Sequence, residues 1–507
     1  MNSIRIKAFR SIIDSGEIEL APITAIIGKN SCGKSSFLRV FPLLKQSCET
    51  RISDSLLWYG DYVDFGDYER IKPFYDKNAY TEFNISIDVS ISRYRYFGYY
   101  SRYEKKSKIN VNIGLVVDDH YFSEIKLLYE DQVISISLDK SGIVNAIYIN
   151  DEKYKCERGL YRWARPTNGI IPIIYEYRNS KTNSYDAILR RMSYSDELLI
   201  ADLQRFTRSN TSVSSIIKLS ESLKLLHSQN DRLSFLKDYK ELKKVSKNFK
   251  SIDIKNSAFV RINEHAVISE LPMLLEEINA SLINETNNMQ YLKPIRASAN
   301  RYYRVQGVSI EQLDSDGSNI PMILYNLTND ELESFEKWCN DKLHVVFSVK
   351  NESGHVSLVI KDEKNNMINL ADSGFGYSQI LPLVFDLWFI SNKKLKSRFP
   401  QKNTCYTIII EQPELHLHPA FQKNVIDLFA SIINETKKNG LNTKIIFETH
   451  SETMINRIGE LIYEKKLIEK NDVNIIAFEK IKDITTIKQM AFDDFGLIAN
   501  WPMGFFS

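Results

Sequence analysis

The sequence predicts an α/β fold: a mixed sheet flanked by helices around a glycine-containing loop, with a β-rich and a helical insertion. Three observations carry this prediction. Near the N-terminus an apolar strand runs into a glycine-containing loop and then into residues of helical periodicity. In the last third, short apolar runs end in a carboxylate or a histidine, as buried parallel strands do. Between these regions the apolar period changes to two, and then helix formers dominate.

Residues 3–9 (SIRIKAF) alternate apolar and polar, which predicts a half-buried strand. A second strand at 17–20 leads to PITAIIG, a buried strand ending in glycine. In the following GKNSCGKSSFLRVFPLLKQS, the apolar residues of 37–44 recur at helical spacing. From about 81 to 150 the segments TEFNISIDVSIS, KINVNIGLVVDD, EIKLLYEDQVISISL and GIVNAIYIN read as successive antiparallel strands broken by Asp, Asn and Gly turns. Helix formers dominate 184–290, without the sustained heptads of a long coiled-coil arm. Beyond 340, VVFSVK and VSLVIKD precede a glycine-containing loop and the apolar helix ILPLVFDLWFI. YTIIIEQPE and TKIIFETHS then read as buried strands. The expected division is 1–80 and 291–507 for the two parts of one head, with 81–183 β-rich and 184–290 helical. No low-complexity tract or flexible linker separates them, so the insertions are expected to pack onto the head.

At 507 residues and 43% hydrophobic, the chain can bury sizeable cores. Lys and Arg number 66 against 64 Asp and Glu, so no global field marks it as a nucleic-acid binder, although a local patch would suffice. The five cysteines, Cys32, Cys48, Cys156, Cys339 and Cys405, form no CxxC pair, which argues against structural zinc and a disulfide framework. The N-terminus lacks the apolar core of a signal peptide, and no stretch approaches the roughly 18 to 20 apolar residues of a membrane span. A soluble cytoplasmic protein with no membrane partner is expected.

The strongest motif is Gly28, Lys29, Asn30, Ser31, Cys32, Gly33, Lys34 and Ser35, a full GxxxxGK[ST] match with Ser36 beside it. Its glycines let backbone N–H groups turn toward phosphates, and the following helix presents its positive end to them. Lys34 would reach the outer phosphates of ATP, and the Ser35 hydroxyl would ligate Mg2+. Glu411 closes the run Ile408, Ile409, Ile410, which places a magnesium-holding carboxylate at a strand end. Next to it stands Gln412, at a position where the ABC-type ATPases that this motif resembles carry a second carboxylate to polarise the attacking water, with Glu414 two residues on. His450, 39 residues after Glu411 and behind another apolar run, could bond the γ-phosphate and position that water. A fourth segment, 372–379, places Ser373, Gly374, Gly376 and Gln379 in a small turn capping an apolar helix. Such a turn resembles a diverged signature of the ABC-type ATPases, which implies contact with the γ-phosphate of nucleotide on an opposite subunit. His416 and His418, at i and i+2, would share one face of a strand but not of a helix; with no third ligand nearby they read as structural or dimer-interface residues.

Arg93, Tyr94, Arg95, Tyr96 and Phe97, continuing through Tyr99, Tyr100, Arg102, Tyr103, Lys105, Lys106 and Lys108, interleave aromatic and basic residues. Two readings stay open there: a surface that stacks bases and neutralises phosphates, and a β-edge guarded by charge. The basic run 237–250 contains Asp238 and Glu241 and reads as a solvated helix face.

With its nucleotide motifs placed, the chain resembles the ABC-type ATPases related to RecF, Rad50 and the overcoming-lysogenization-defect (OLD) proteins. The opening IRIKAFRSIIDSGEIELAPITAIIGKNSCGKSSFL is similar to their shared start, with Arg10 in the family's FR position at the nucleotide. The segments 56–69, 291–307, 313–324, 410–422 and the terminal WPMGFF resemble the PtuA family, the ATPases of Septu and retron-linked anti-phage systems. That resemblance implies an ABC-ATPase fold that oligomerises, as a dimer or higher with ATP in the interface. It also implies a role holding an HNH nuclease subunit similar to PtuB, with DNA or a retron nucleic acid as a further candidate ligand. OLD proteins append a nuclease domain after the switch histidine, whereas 56 residues follow Ser451 here, so a nuclease is expected in trans. Gln412 departs from the family's catalytic Glu and leads to an expectation of slow or conditional hydrolysis, with Glu414 or His450 able to compensate. The competing reading is a stand-alone RecF-like clamp that binds duplex DNA when ATP closes the dimer. A transporter ATPase is disfavoured by the FR strand and the large insertion.

Overall fold

Residues 23–28 are buried at every position, as an apolar run covered on both faces must be, and they form the strand Ile23–Gly28. The computed structural model describes residues 1–73, 75–94, 103–177, 193–305, 312–352, 354–361, 366–392, 405–482 and 484–498, with the side chains of 92–94, 103–107 and 352 excepted. The chain divides into two units, one formed by Met1–Lys7, Ser47–Leu57 and Asn78–Asn284, the other by Ala8–Gln46, Trp58–Lys77 and Glu285–Ser507.

In the second unit Ile23–Gly28 is the central strand. Asn442–Glu448 and Val473–Ile481 flank it in parallel, and Cys405–Glu411 and then Met289–Leu292 continue the parallel set beyond Asn442–Glu448. On the other side Ile484–Met490 returns antiparallel to Val473–Ile481 and pairs with Ile12–Asp14. This is a mixed sheet with helices Lys34–Leu38, Phe375–Asn392, Pro419–Lys438 and Glu452–Glu464 in the same unit, the α/β class the sequence predicts. The helix Phe375–Asn392 is apolar nearly all round, because it lies inside the core between the sheet residues Ile408, Ile410 and Ile445 and the helix residues Phe335 and Phe429. A small antiparallel sheet pairs Val346–Glu352 and His355–Lys361 with Tyr303–Arg304 and Met367–Asn369.

In the first unit the period-two segments are antiparallel strands. Residues 3–7 pair with Glu82–Tyr94, which is followed in spatial order by Tyr103–Val117, Phe122–Tyr129, Gln132–Leu138, Val144–Ile149 and Glu152–Lys153. Tyr161–Ala164 and Ile173–Glu176 make a separate hairpin pair. Helices Tyr194–Gln204, Val213–Lys224, Gln229–Asp238 and Lys243–Phe249, with the start of Ser257–Asn287, enclose a core of their own around Leu199, Leu219, Leu236 and Phe259. Arg232 is fully buried there and is answered by Glu270 at 3.0 Å and Asn263 at 2.8 Å, as a buried charge requires. The basic and aromatic candidate surface at 93–106 falls on residues or side chains outside the described set, as does the terminal WPMGFF; Lys108 is exposed on its strand. Lys240, Lys243, Lys247 and Lys250 of the second basic run are exposed. Among the described residues, no helix is long and apolar enough to cross a membrane.

Candidate nucleotide-binding site

The loop 28–35 connects the central strand to helix Lys34–Leu38, and two of its glycines are there by necessity. A Cβ on Gly28 would sit 2.5 Å from the Phe478 carbonyl oxygen and 2.7 Å from Cys32 Sγ. Gly33, at φ 97°, is the residue before the helix and lies in the left-handed region. Its missing Cβ leaves room for Ser11 Oγ and Thr485 Oγ1, which would otherwise be 3.0 and 3.1 Å away. Thr485 also donates to the Cys32 carbonyl at 2.9 Å, tying the loop to the sheet. Gly33→Ala is therefore expected to lower the denaturation midpoint by an amount equivalent to about 1–2 kcal/mol, the cost of a side chain in left-handed backbone. A melting curve unchanged within error would contradict the tightness of this loop.

Lysine, serine and carboxylate meet at the loop's end. Lys34 is buried, donates to the Lys29 carbonyl at 2.8 Å and stands 3.6 Å from Glu448 Oε1. Ser35 Oγ donates to Glu448 Oε2 at 2.7 Å. Glu448 ends the strand next to the loop's own strand, and burial pushes its carboxyl above the usual range against the pull of Ser35 and Lys34. Cys32 is buried, its thiol directed at the Lys29 carbonyl and raised by that burial. Lys29, Asn30 and Ser31 are exposed. Arg10 approaches Ser36 Oγ at 3.4 Å and lies over the Phe65 ring, and its guanidinium is lowered by burial and by nearby Arg39.

Glu411 is close by but engaged elsewhere. Arg39, one turn after Ser35, grips it through two bonds, Nε to Oε1 at 2.7 Å and Nη2 to Oε2 at 2.8 Å. Tyr291 Oη, from the next strand, donates to the same Oε1 at 2.6 Å, and burial with the carboxylate raises that phenol. Gln412 follows with φ 44°, and its N–H bonds the Glu448 carbonyl at 3.0 Å. Glu414 accepts the His450 N–H at 2.7 Å, so it fixes the backbone at that residue; burial raises its carboxyl. The His450 ring is one third exposed, stands 3.9 Å from Glu448 Oε1, and is held toward its neutral form by burial and by Lys34.

The segment 372–379 heads helix Phe375–Asn392. Gly374 and Phe375 are exposed, and Ser373 Oγ bonds back to the Leu370 carbonyl. A Cβ on Gly376 would meet the His416 carbonyl at 3.0 Å, so this turn lies against the chain that follows the carboxylate strand. Gln379 is a different case: its amide is buried and spent on both backbone groups of Arg296, at 3.0 Å each. Its side chain holds the site's frame and is not available to a phosphate. Arg296, in turn, is wholly buried, and burial lowers its guanidinium to about 10. His418 accepts from the Ala420 N–H as the N-cap of helix Pro419–Lys438, while His416 is exposed. Among the described residues no three His, Cys, Asp or Glu side chains group as a metal cluster.

Glu448, Arg39 and Tyr291 also belong to this site, and none of them stands in the motifs that mark it in the sequence. Glu448 carries the same signal that identified Glu411, an acid closing an apolar run, two residues before His450. Arg39 had a weaker one, a cation at i+4 from Ser35 on the same helical face.

A phosphate loop on the central strand, a carboxylate strand two places away and a histidine-bearing strand between them define a P-loop ATPase with the ABC-type α/β fold. The chain belongs to the AAA ATPase domain family, whose model matches residues 1–455. Among solved structures it is similar to the Smc head domain with an extended coiled coil bound to the C-terminal domain of ScpA, from Pyrococcus furiosus. That pair shares 12% identity over 97% of this chain and 96% of the other, with a TM-score of 0.33. The SMC head domain from Thermotoga maritima is similar at 10% identity, covering 96% and 97% of the two chains, with a TM-score of 0.34. No curated protein matches the chain. Family membership implies nucleotide binding, typically with magnesium. The residues fit that cofactor: the glycine cradle would be filled by any Cβ, and a lysine, a serine hydroxyl and a buried carboxylate converge beside it.

Proposed function

We propose that this protein is the ATP-reading subunit of a bacterial anti-phage defence complex, binding ATP with magnesium, hydrolysing it slowly and holding an HNH nuclease subunit supplied in trans. The observation that carries the ATP reading is the meeting of Lys34, Ser35 and Glu448 at the end of the glycine loop. The defence reading is supported by the PtuA-like segments, chiefly IEQPELHLHPAFQ and YLKPIRASANRYYRVQG. Slow turnover is supported by Gln412, an amide that cannot take a proton from water. Dimerisation is supported by the exposed turn at Gly374 and Phe375, which offers the start of an 18-residue helix to a second copy's nucleotide. On this reading 1–80 and 291–507 form the head, and 81–183 and 184–290 are its insertions.

Native mass measurement with and without Mg-ATP, on the chain alone and co-expressed with a small HNH protein encoded beside it, tests the proposal. The expected result is an ATP-dependent rise in mass and a stable complex with the nuclease. Tight, ATP-dependent duplex DNA binding by the chain alone, with no nuclease retained, would replace this reading with that of a RecF-like clamp.

A further inference from the structure

We propose that the magnesium-holding carboxylate of this site is Glu448, acting with Ser35, and that Glu411 is instead a positioning residue held by Arg39 and Tyr291. The assignment rests on the ATP-binding reading above and names the ligand within it.

Strand order supplies the first argument. Glu411 and Glu448 are opposite each other in register on adjacent parallel strands, and Glu448 is in turn opposite Ile26 of the strand that carries the glycine loop. Glu448 is therefore one strand, roughly 4.8 Å, nearer the phosphates than Glu411. Contact geometry supplies the second. Ser35 Oγ and Glu448 Oε2 are 2.7 Å apart. Neighbouring ligands of an octahedral magnesium with bonds near 2.1 Å stand about 3.0 Å apart, so this oxygen pair would need to open by only about 0.3 Å to share the ion.

Occupancy of the carboxylates supplies the third. Both oxygens of Glu411 are taken by the Arg39 fork, and Oε1 also accepts from Tyr291. A carboxylate neutralised in this way attracts a divalent cation weakly, because the guanidinium stands where the metal's charge would be needed. Glu448 is equally buried, but its cation partner is Lys34 at 3.6 Å. Lys34 is the side chain that turns to the phosphates when nucleotide enters. With Lys34 turned to the phosphates, the Glu448 carboxylate and the Ser35 hydroxyl would be free to hold magnesium. Glu411 then orders the site indirectly, by fixing Arg39 at the end of the loop's helix and Tyr291 on the neighbouring strand.

The test is the affinity of the full chain for a fluorescent ATP analogue, titrated once in magnesium and once in EDTA. The magnesium-dependent gain should fall about tenfold or more in Glu448→Gln, the scale on which metal sites respond to losing a ligand or its support. EDTA affinity should hold or tighten in that variant, because a negative charge beside the phosphates is removed. Glu448→Asp, which keeps the charge on a shorter arm, should retain part of the gain and carries the test if the glutamine variant does not fold. A full gain in Glu448→Gln or Glu448→Asp, together with its loss in Glu411→Gln, would overturn the assignment while leaving the nucleotide site intact. An unmodified chain that binds the analogue in neither buffer would overturn the ATP reading itself, and this inference with it.

Discussion

Lys34→Ala is expected to weaken ATP binding about a hundredfold and to abolish the thermal stabilisation that ATP confers. The Lys34 side chain is 3% exposed, its Nζ donating to the Lys29 carbonyl and facing Glu448 across 3.6 Å. Each charge-assisted bond to a phosphate contributes about 1.5–3 kcal/mol, so two lost bonds amount to about 3 kcal/mol at least, or two decades of affinity. The fold should tolerate the loss. Removing the lysine leaves Glu448 without its cation, but burial already favours the protonated form of that carboxyl and Ser35 still bonds it. The melting point without nucleotide should therefore move little, while the shift produced by saturating Mg-ATP disappears, as mass action requires when the ligand no longer binds. Calorimetric titration and a thermal melt on the same preparation measure both quantities. An ATP affinity equal to that of the unmodified chain would refute the placement of the phosphates in this loop.

What the sequence disclosed about this site, and what it hid, follows from the distances along the chain over which each contact is made. The glycine loop is a local object. Its strand, turn and helix lie within a few residues of one another, so spacing alone predicts the geometry found at Gly28, Gly33 and Lys34. Glu411 and His450 were also legible, because an apolar run of a strand's length must end where the sheet meets solvent or a site. Partners were not legible. Ser35 finds Glu448 across 413 residues, and Arg39 finds Glu411 across 372. Those pairings depend on the strand at 442–448 lying between the loop strand and the carboxylate strand, an order no local period encodes. The same holds for Gln379, whose place at the head of a helix was readable while its commitment to Arg296, 83 residues away, was not. The parallel central strands were readable as unbroken apolar runs, but their neighbours in the sheet come from opposite ends of the chain.

Gln412→Glu is the substitution that should change the chemistry most, raising steady-state ATP hydrolysis about a hundredfold, the lower range of general-base catalysis. The backbone will not resist it. Residue 412 lies at φ 44°, a conformation that glutamine and glutamate meet at similar cost, and its N–H bond to the Glu448 carbonyl involves no side chain. The side chain is only partly buried, so a carboxylate there keeps contact with water, the reactant it must polarise. The objection is electrostatic: a third acid beside Glu411 and Glu448 would be driven to hold its proton. Arg39 answers part of this by neutralising Glu411 through two bonds, and bound magnesium would offset Glu448. His450, kept neutral by burial and by Lys34, can remain a hydrogen-bond partner of the same water without competing as a cation. Turnover measured by phosphate release should therefore rise without a matching change in ATP affinity, separating a new base from a new binding contact. Turnover that is already rapid in the unmodified chain and vanishes in Gln412→Ala would show that the amide does not limit the reaction. In that case Glu414 is a poor substitute candidate, because its Oε1 is fixed on the His450 N–H. The remaining carboxylate in reach of both Ser35 and the histidine is Glu448, and the two experiments on residues 412 and 448 together decide which acid the hydrolysis needs.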